Sequence, residues 1–174
     1  MLKPILFAVL SAGIVFLSRK SLFSLRTHGF FRFFAFECLL GLVILNADYW
    51  FRRPFSPLQL LSWLMLTGSI AMAAHGFYLL KVTGKPREGI EDTTVLVRRG
   101  AYRYIRHPLY TSLLLLGWGA FLKDVSLFSA AFVLLATAFV YATARIEEAE
   151  NREKFGASYE QYMKSTKMFI PFLL

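Results

Sequence analysis

The amino-acid sequence predicts an all-α integral membrane protein. Its expected parts are five transmembrane helices, a tight helical hairpin made by spans four and five, and a cytoplasmic C-terminal helical tail. Three observations carry that expectation. The 174-residue chain is 56% hydrophobic with 18 phenylalanines, more apolar than a soluble domain of this size sustains unless much of its surface faces lipid. Five apolar runs approach the roughly 20 residues that a helix needs to cross a bilayer. Lysine and arginine are shared unevenly between the connections, as happens when cytoplasmic loops collect positive charge.

Span one runs from Lys3 to about Ser18. Its heavier positive charge, Arg19 and Lys20, follows the apolar core, the reverse of a secretory signal, so it reads as an uncleaved span. Span two covers Phe30 to Trp50 with Glu37 near its middle, and span three covers Leu58 to Leu80. After a long polar connection, span four starts at Pro108, a residue suited to a first helical turn because no intrahelical N–H is needed there. It ends near Leu122. Span five runs from Val125 to Ala144, and with only Lys123 and Asp124 between them the two spans form an antiparallel hairpin. Spans one and four are short for a full crossing and call for tilt or support from neighbours. Past Ala144 the chain turns polar; Glu148 and Arg152 are spaced as an i,i+4 pair, so the helix continues to Phe155 and stops at Gly156. Phe155, Tyr159 and Tyr162 then make an amphipathic segment suited to the interface. Residues 1–174 read as one domain without internal repeats, 1–80 holding three spans and 81–174 the loop, hairpin and tail.

Five crossings put Lys3, Arg52, Arg53 and Lys123 on one side of the membrane. The other sixteen basic residues, Arg26 and Arg32 among them, fall on the opposite side. That skew predicts an N-terminus outside and a C-terminus in the cytoplasm, with Trp50 and Trp63 at the interfaces. The net charge of +9 does not indicate nucleic acid, because the basic residues lie between apolar runs rather than on one soluble face. It points instead to anionic lipid headgroups at the basic loops. The single cysteine, Cys38, excludes a disulfide framework and a cysteine-based metal cluster. No metal is expected, and the thiol is expected to behave as a buried small apolar residue.

The stretch RRGAYRYIRHPLYTS, Arg98 to Ser112, sets four arginines, three tyrosines and a histidine just before and within the start of span four. In a short antiparallel hairpin, Arg106, His107 and Tyr110 must face Glu147 and Glu148. The helix start adds free N–H groups and a positive dipole end, which suit a carboxylate or phosphate; the glutamates suit an amine or ribose hydroxyls. Simpler roles compete with this one. His107 could cap the helix, the glutamates could hold Arg145 or Arg152, and Arg98 and Arg99 read as orientation determinants. His75 reads as a hydrogen-bonded packing residue. Glu37, an acid inside a span, is a functional candidate by default, or a partner of Arg32 or of a polar residue on another helix. Gly117 and Gly119 in GWG admit either close cofactor approach or close helix packing.

LVRRGAYRYIRHPLY (Leu96 to Tyr110), then a hairpin, then EEAENREKFGASYEQYMKSTKMFIP (Glu147 to Pro171), resemble the isoprenylcysteine carboxyl methyltransferase family and its phospholipid methyltransferase relatives. The likeness covers about the last eighty residues. It implies a membrane enzyme that uses S-adenosyl-L-methionine and releases S-adenosyl-L-homocysteine, with the cofactor held by the loop before span four, the hairpin and the tail. By motif, LVxxGxY assigns Leu96, Val97, Gly100 and Tyr102 to the cofactor, and RHPxY assigns Arg106, His107 and Tyr110. Glu147 and Glu148 match the family's paired glutamates, with Glu148 on the cofactor, and Gly117 and Gly119 resemble a glycine motif of the phospholipid enzymes. Thr143 stands where carboxyl methyltransferases carry an arginine, two residues before Arg145.

Methyl transfer suits such a cluster, because a sulfonium is already a strong electrophile and the protein mainly aligns the reactants and excludes water. A carboxylate acceptor needs a steering cation, for which Arg103, Arg106 and Arg145 are available. An amine must lose a proton, for which a glutamate or His107 is the base. Arg106, Glu147 and Arg145 are the expected catalytic residues, acting on a lipid or lipid-linked acceptor that enters sideways from the bilayer. The competing functions are a phospholipid amine N-methyltransferase, an NADPH-dependent membrane reductase with an RHPxY-like motif, and a non-enzymatic lipid-binding membrane protein.

Overall fold

Five apolar runs bounded by Pro, Gly and polar turns, and the amphipathic tail, become six α-helices in a computed structural model that describes residues 2–22, 28–87, 90 and 92–173. Arg26 lies outside the described residues. The helices are α1 (Leu2–Leu22), α2 (His28–Leu45), α3 (Pro57–Thr83), α4 (Pro108–Phe121), α5 (Leu127–Phe155) and α6 (Ala157–Ser165), with 3-10 turns at Ala47–Tyr49 and Gly100–Arg103. Four of them, α1, α2, α3 and α5, are long and apolar enough to cross a membrane, as a multi-pass membrane chain requires. The expected fourth span is α4; its 14 residues reach about 21 Å, less than the roughly 30 Å hydrocarbon core. Span two also ends earlier than its hydropathy suggests, at Leu45. Asn46 ends it: its Nδ2 donates to the Ala120 carbonyl (2.9 Å), and its Oδ1 accepts from Ser129 (2.9 Å).

The helices pack in the sequence α1 on α2, α2 on α5 and α4, and α4 on α3. Within the Leu2–Arg19 stretch of α1 no residue is buried; the helix packs on α2, and Lys3 reaches Asp48 beyond the end of that helix. α3 and α4 are antiparallel neighbours in a defined register. Gln59 bonds the Lys123 carbonyl (3.0 Å), Ser62 the Gly119 carbonyl (2.7 Å) and Ser69 the Ser112 carbonyl (2.8 Å), and Gly76 lies against Pro108 and Leu109. Small polar side chains that reach a neighbouring helix's backbone are a usual means of adhesion where no hydrophobic effect operates between helices. Ser126 caps α5, its Oγ accepting from the Ser129 N–H at 3.2 Å, and five residues, 122–126, make the hairpin turn.

α5 spans 29 residues, about 44 Å, and so is longer than the roughly 30 Å hydrocarbon core by two to three turns. Gly156 ends it with φ +53°, a left-handed conformation that glycine adopts at no steric cost. α6 then turns back instead of lying along the interface. Tyr159 and Tyr162 are buried, Tyr162 donating to the Tyr102 carbonyl (2.5 Å). The following segment runs beside residues 104–107, with Arg106 N–H on the Lys167 carbonyl (2.8 Å), His107 N–H on that of Met168 (3.1 Å) and Lys167 N–H on that of Tyr104 (3.2 Å). The amphipathic face of the tail is used up inside the protein. Cys38 is half-buried rather than enclosed.

The glycines of GWG answer to packing. A Cβ on Gly117 would come within 2.9 Å of Leu39, and one on Gly119 within 3.0 Å of Leu66 and 3.2 Å of the Ser62 carbonyl, whereas Gly13 on α1 meets nothing within 4 Å. Gly119→Leu is therefore expected to destabilise the chain by about 1–3 kcal/mol through overpacking. Gly13→Ala should leave it unchanged or up to about 1 kcal/mol more stable through helix propensity. Denaturant titration of both variants in mixed micelles checks the contrast.

Candidate active site

The loop before α4, the start of α4, the polar end of α5 and α6 line one cleft that opens to the surface. One ion pair sets its geometry. Arg106 Nε donates to Glu148 Oε1 at 2.6 Å, the two side chains being 9% and 4% exposed. Arg106 Nη1 also donates to the Thr166 carbonyl (2.5 Å) and, more weakly, to that of Met163 (3.4 Å). His107 Nε2 lies 3.4 Å from the same Glu148 oxygen without the geometry of a hydrogen bond, and its ring stacks on Tyr110 (centroids 5.4 Å apart). Residues 42 apart in sequence meet because α4 and α5 are antiparallel and their turn is short.

Glu147 occupies a different position from its neighbour. It is half-buried, lines the cleft, and has no hydrogen-bond or ion-pair partner among the described residues. With Asn151, one turn further along α5, it also lines an adjoining hollow walled by His28, Arg32, Asp92 and Lys154. There His28 Nδ1 lies 2.5 Å from Glu150 and Lys154 pairs with Asp92. The two spaces share one wall, and Glu147 is on it.

Of the residues singled out by sequence, Leu96, Val97, Tyr102, Arg106, His107, Tyr110 and Glu147 line the cleft, and Glu148 stands behind them holding Arg106. Others are elsewhere. Arg145 is exposed, its guanidinium 3.5 Å from the Tyr141 hydroxyl. Two residues along a helix is a rotation of about 200°, so Arg145 points nearly opposite to Glu147. Arg103 is exposed too, over the Tyr104 ring. Gly100 shapes the loop instead of lining the cleft: φ is +56°, and a Cβ would fall 2.5 Å from His75 Nε2, the atom that accepts the Ala101 N–H (3.3 Å). Gly117 and Gly119 lie about 14–17 Å along α4 from its start, among packed helices. Glu37 is far from this end of α2 and accepts from Ser11 of α1 (2.9 Å), while Arg98 donates to the Ser158 carbonyl and lies over Tyr162.

Sequence reasoning missed Asn151, Phe155 and Tyr159 as lining residues. The i+4 and i+8 steps from Glu147 place Asn151 and Phe155 on its helix face, a signal that was available. Tyr159 arrives only through the turn at Gly156. Burial pushes the phenols of Tyr159 and Tyr162 well above their ordinary value, reinforced at Tyr159 by the charges of Glu148 and Glu147. Both hydroxyls therefore stay protonated.

Removing one member of a buried, hydrogen-bonded ion pair leaves the other charge uncompensated, at a cost of about 3–5 kcal/mol. Glu148→Ala should incur most of that cost and free the C-terminal segment, giving a lower melting temperature and new protease cleavage after Lys164 or Lys167. Glu147→Gln, at an unpaired group, should leave both unchanged.

The phospholipid methyltransferase family profile matches residues 58–158. Among curated proteins, a methanethiol S-methyltransferase of Pseudomonas deceptionensis is 26% identical over 145 residues, 79% of this chain and 48% of its own length. Proteins of that name from Pseudomonas sp. (strain GM41(2012)) and Crocosphaera subtropica are 29% and 31% identical over 40% and 41% of this chain, and 26% and 28% of their own lengths. The chain thus spans about half the length of the first relative and about a quarter of the other two. No solved structure matches it. With more than half of its residues inside the profile, from α3 into α6 and across most of the cleft wall, the chain belongs to the phospholipid methyltransferase family.

Proposed function

We propose that this chain catalyses S-adenosyl-L-methionine-dependent methyl transfer to a lipophilic acceptor at the membrane surface. In this reading α4 completes five crossings alongside α3, the N-terminus is outside, and the cleft and C-terminus are cytoplasmic. Anionic headgroups contact the exposed basic loops. The observation that carries the reading is Glu147, a half-buried carboxylate without a partner among the described residues, in a cleft that also holds a guanidinium and apolar and aromatic walls.

That donor set fits the cofactor. Leu96, Val97 and Tyr102 offer a surface for a flat base, while Glu147 and Asn151 accept and donate toward ribose hydroxyls or an ammonium group. The first turn of α4 suits a carboxylate. When bound, the cofactor supplies an electrophilic methyl group on a positively charged sulfur. The residues of the chain orient the acceptor, exclude water, and at Glu147 can take up the proton that an acceptor thiol or amine loses.

A neutral nucleophile suits the cleft better than a carboxylate. The cleft's guanidinium is already held by Glu148, Arg103 and Arg145 point elsewhere, and Thr143 is buried and turned back onto the Phe139 carbonyl (2.7 Å). The isoprenylcysteine carboxylate therefore lacks a dedicated steering cation. A thiol agrees with the names of the curated relatives; a phospholipid amine is the second reading, because Glu147 faces a hollow large enough for a headgroup.

Calorimetric titration of the purified chain with S-adenosyl-L-homocysteine should give saturable binding, weakened roughly tenfold to a hundredfold in Glu147→Gln, the loss expected for a charge-assisted hydrogen bond. Binding of NADPH in its place would overturn the reading in favour of a reductase. Transfer of labelled methyl to an alkanethiol, to phosphatidylethanolamine and to a prenylcysteine identifies the acceptor, with the thiol expected to lead and the carboxylate to trail.

A further inference from the structure

At the end of the bundle opposite the cleft, the chain after α2, the start of α3 and the α4–α5 turn enclose a second basic hollow, lined by Tyr49, Arg52, Arg53, Ser56, Gln59 and Lys123. Lys123 is 4% exposed. Its ammonium lies 3.1 Å from Gln59 Oε1, and 3.5 Å and 5.5 Å from the ring centroids of Trp63 and Trp50. An amide oxygen and two indole faces are its surroundings, and among the described residues no carboxylate comes within ion-pair distance. Such a cage is favourable for a cation but leaves its charge uncancelled. Burial pushes the amine below its ordinary value; an adjacent anion would oppose that.

The rest of the hollow repeats the imbalance. Arg52 lies over the Tyr49 ring, 5.3 Å from its centroid, and neither Arg52 nor Arg53 has an ion pair among the described residues. Asp48 is taken by Lys3 at 2.6 Å. Behind Lys123, the indole N–H of Trp50 is buried without an acceptor among the described residues. α3 begins here, and its N-cap Ser56 makes no side-chain capping bond, so the positive end of a 27-residue helix faces the same space. Phe51 and Phe55, 77% and 85% exposed, flank it. Unpaired cations call for an anion, and exposed aromatics beside tryptophans at a membrane interface call for acyl chains.

We propose that this hollow binds the phosphate of an anionic membrane phospholipid, on the membrane face opposite the methyl-transfer cleft. The proposal does not rest on the catalytic reading. Native mass spectrometry of the full chain, released from nanodiscs of phosphatidylcholine with added phosphatidylglycerol, should show one phosphatidylglycerol retained in preference to phosphatidylcholine. Each basic charge near a lipid surface is worth about fivefold in affinity. The exposed pair Arg52→Gln with Arg53→Gln should therefore weaken retention by roughly twentyfold, and Lys123→Met, which keeps an aliphatic stem on Trp63, by about fivefold. Thermal melts in phosphatidylcholine alone should match wild type for the arginine pair, showing an intact fold. Equal retention of both lipids, variants that retain phosphatidylglycerol as wild type does, or displacement of the lipid by millimolar inorganic phosphate would each overturn the proposal.

Discussion

The buried pair of Arg106 and Glu148 is the interaction on which the working end of this chain depends. Taking both charges out of water is costly, and their attraction offsets that cost only when the remaining donors and acceptors are also satisfied. Arg106 meets the condition by reaching the Thr166 and Met163 carbonyls as well as Glu148. One guanidinium thus joins three separate parts of the chain: the loop leading into α4, the polar end of α5 and the segment after α6. The backbone bonds of Arg106 and His107 to Lys167 and Met168 then hold the segment in a fixed line. A pair of this kind contributes mainly geometry, since the wrong arrangement leaves a charge stranded.

That geometry divides labour between adjacent glutamates. Consecutive helix residues differ by about 100° in direction, so when Glu148 faces inward to Arg106, Glu147 is turned to the boundary between the cleft and the adjoining hollow. One carboxylate is consumed by structure and the other is left for a ligand. By the same logic the guanidinium in the cleft already has an anion from the protein.

The opposite end of the bundle is built on a different principle. There the hairpin turn is fixed by neutral groups, Gln59, Asn46 and Ser62 on backbone carbonyls of α4 and its turn, and the charges are left unmatched. A buried cation matched by a carboxylate at one end, Arg106 with Glu148, and a buried cation held only by an amide and indole rings at the other, Lys123, make a polarity that hydropathy cannot reveal. Glu147, Glu148 and Glu150 all lie on the far extension of α5, while at the hairpin end Asp48 is occupied by Lys3 and Asp124, next to Lys123 in the turn, makes no ion pair with it.

Much of this was legible beforehand. The apolar runs determine helices, because lipid forces backbone groups to pair within the segment. Pro108 and Gly156 mark boundaries for steric reasons, and the short 122–126 turn makes α4 and α5 antiparallel neighbours, which is enough to bring Arg106 and His107 to the pair of glutamates. Side-chain direction was not legible. Whether Arg145 joins the cleft depends on helix rotation set by packing against α2 and α4. Whether Gly117 and Gly119 meet a cofactor or Leu39 and Leu66 depends on which helices flank α4. The aromatic face of the tail has a period that suits a membrane surface and a protein surface equally well. By itself the sequence determined the helices, their order and the end of the bundle where the polar residues gather, since these follow from local sterics and solvation. The tertiary structure alone decided which charge is cancelled and which is left open, because that depends on distances between segments that the chain brings together only when it folds.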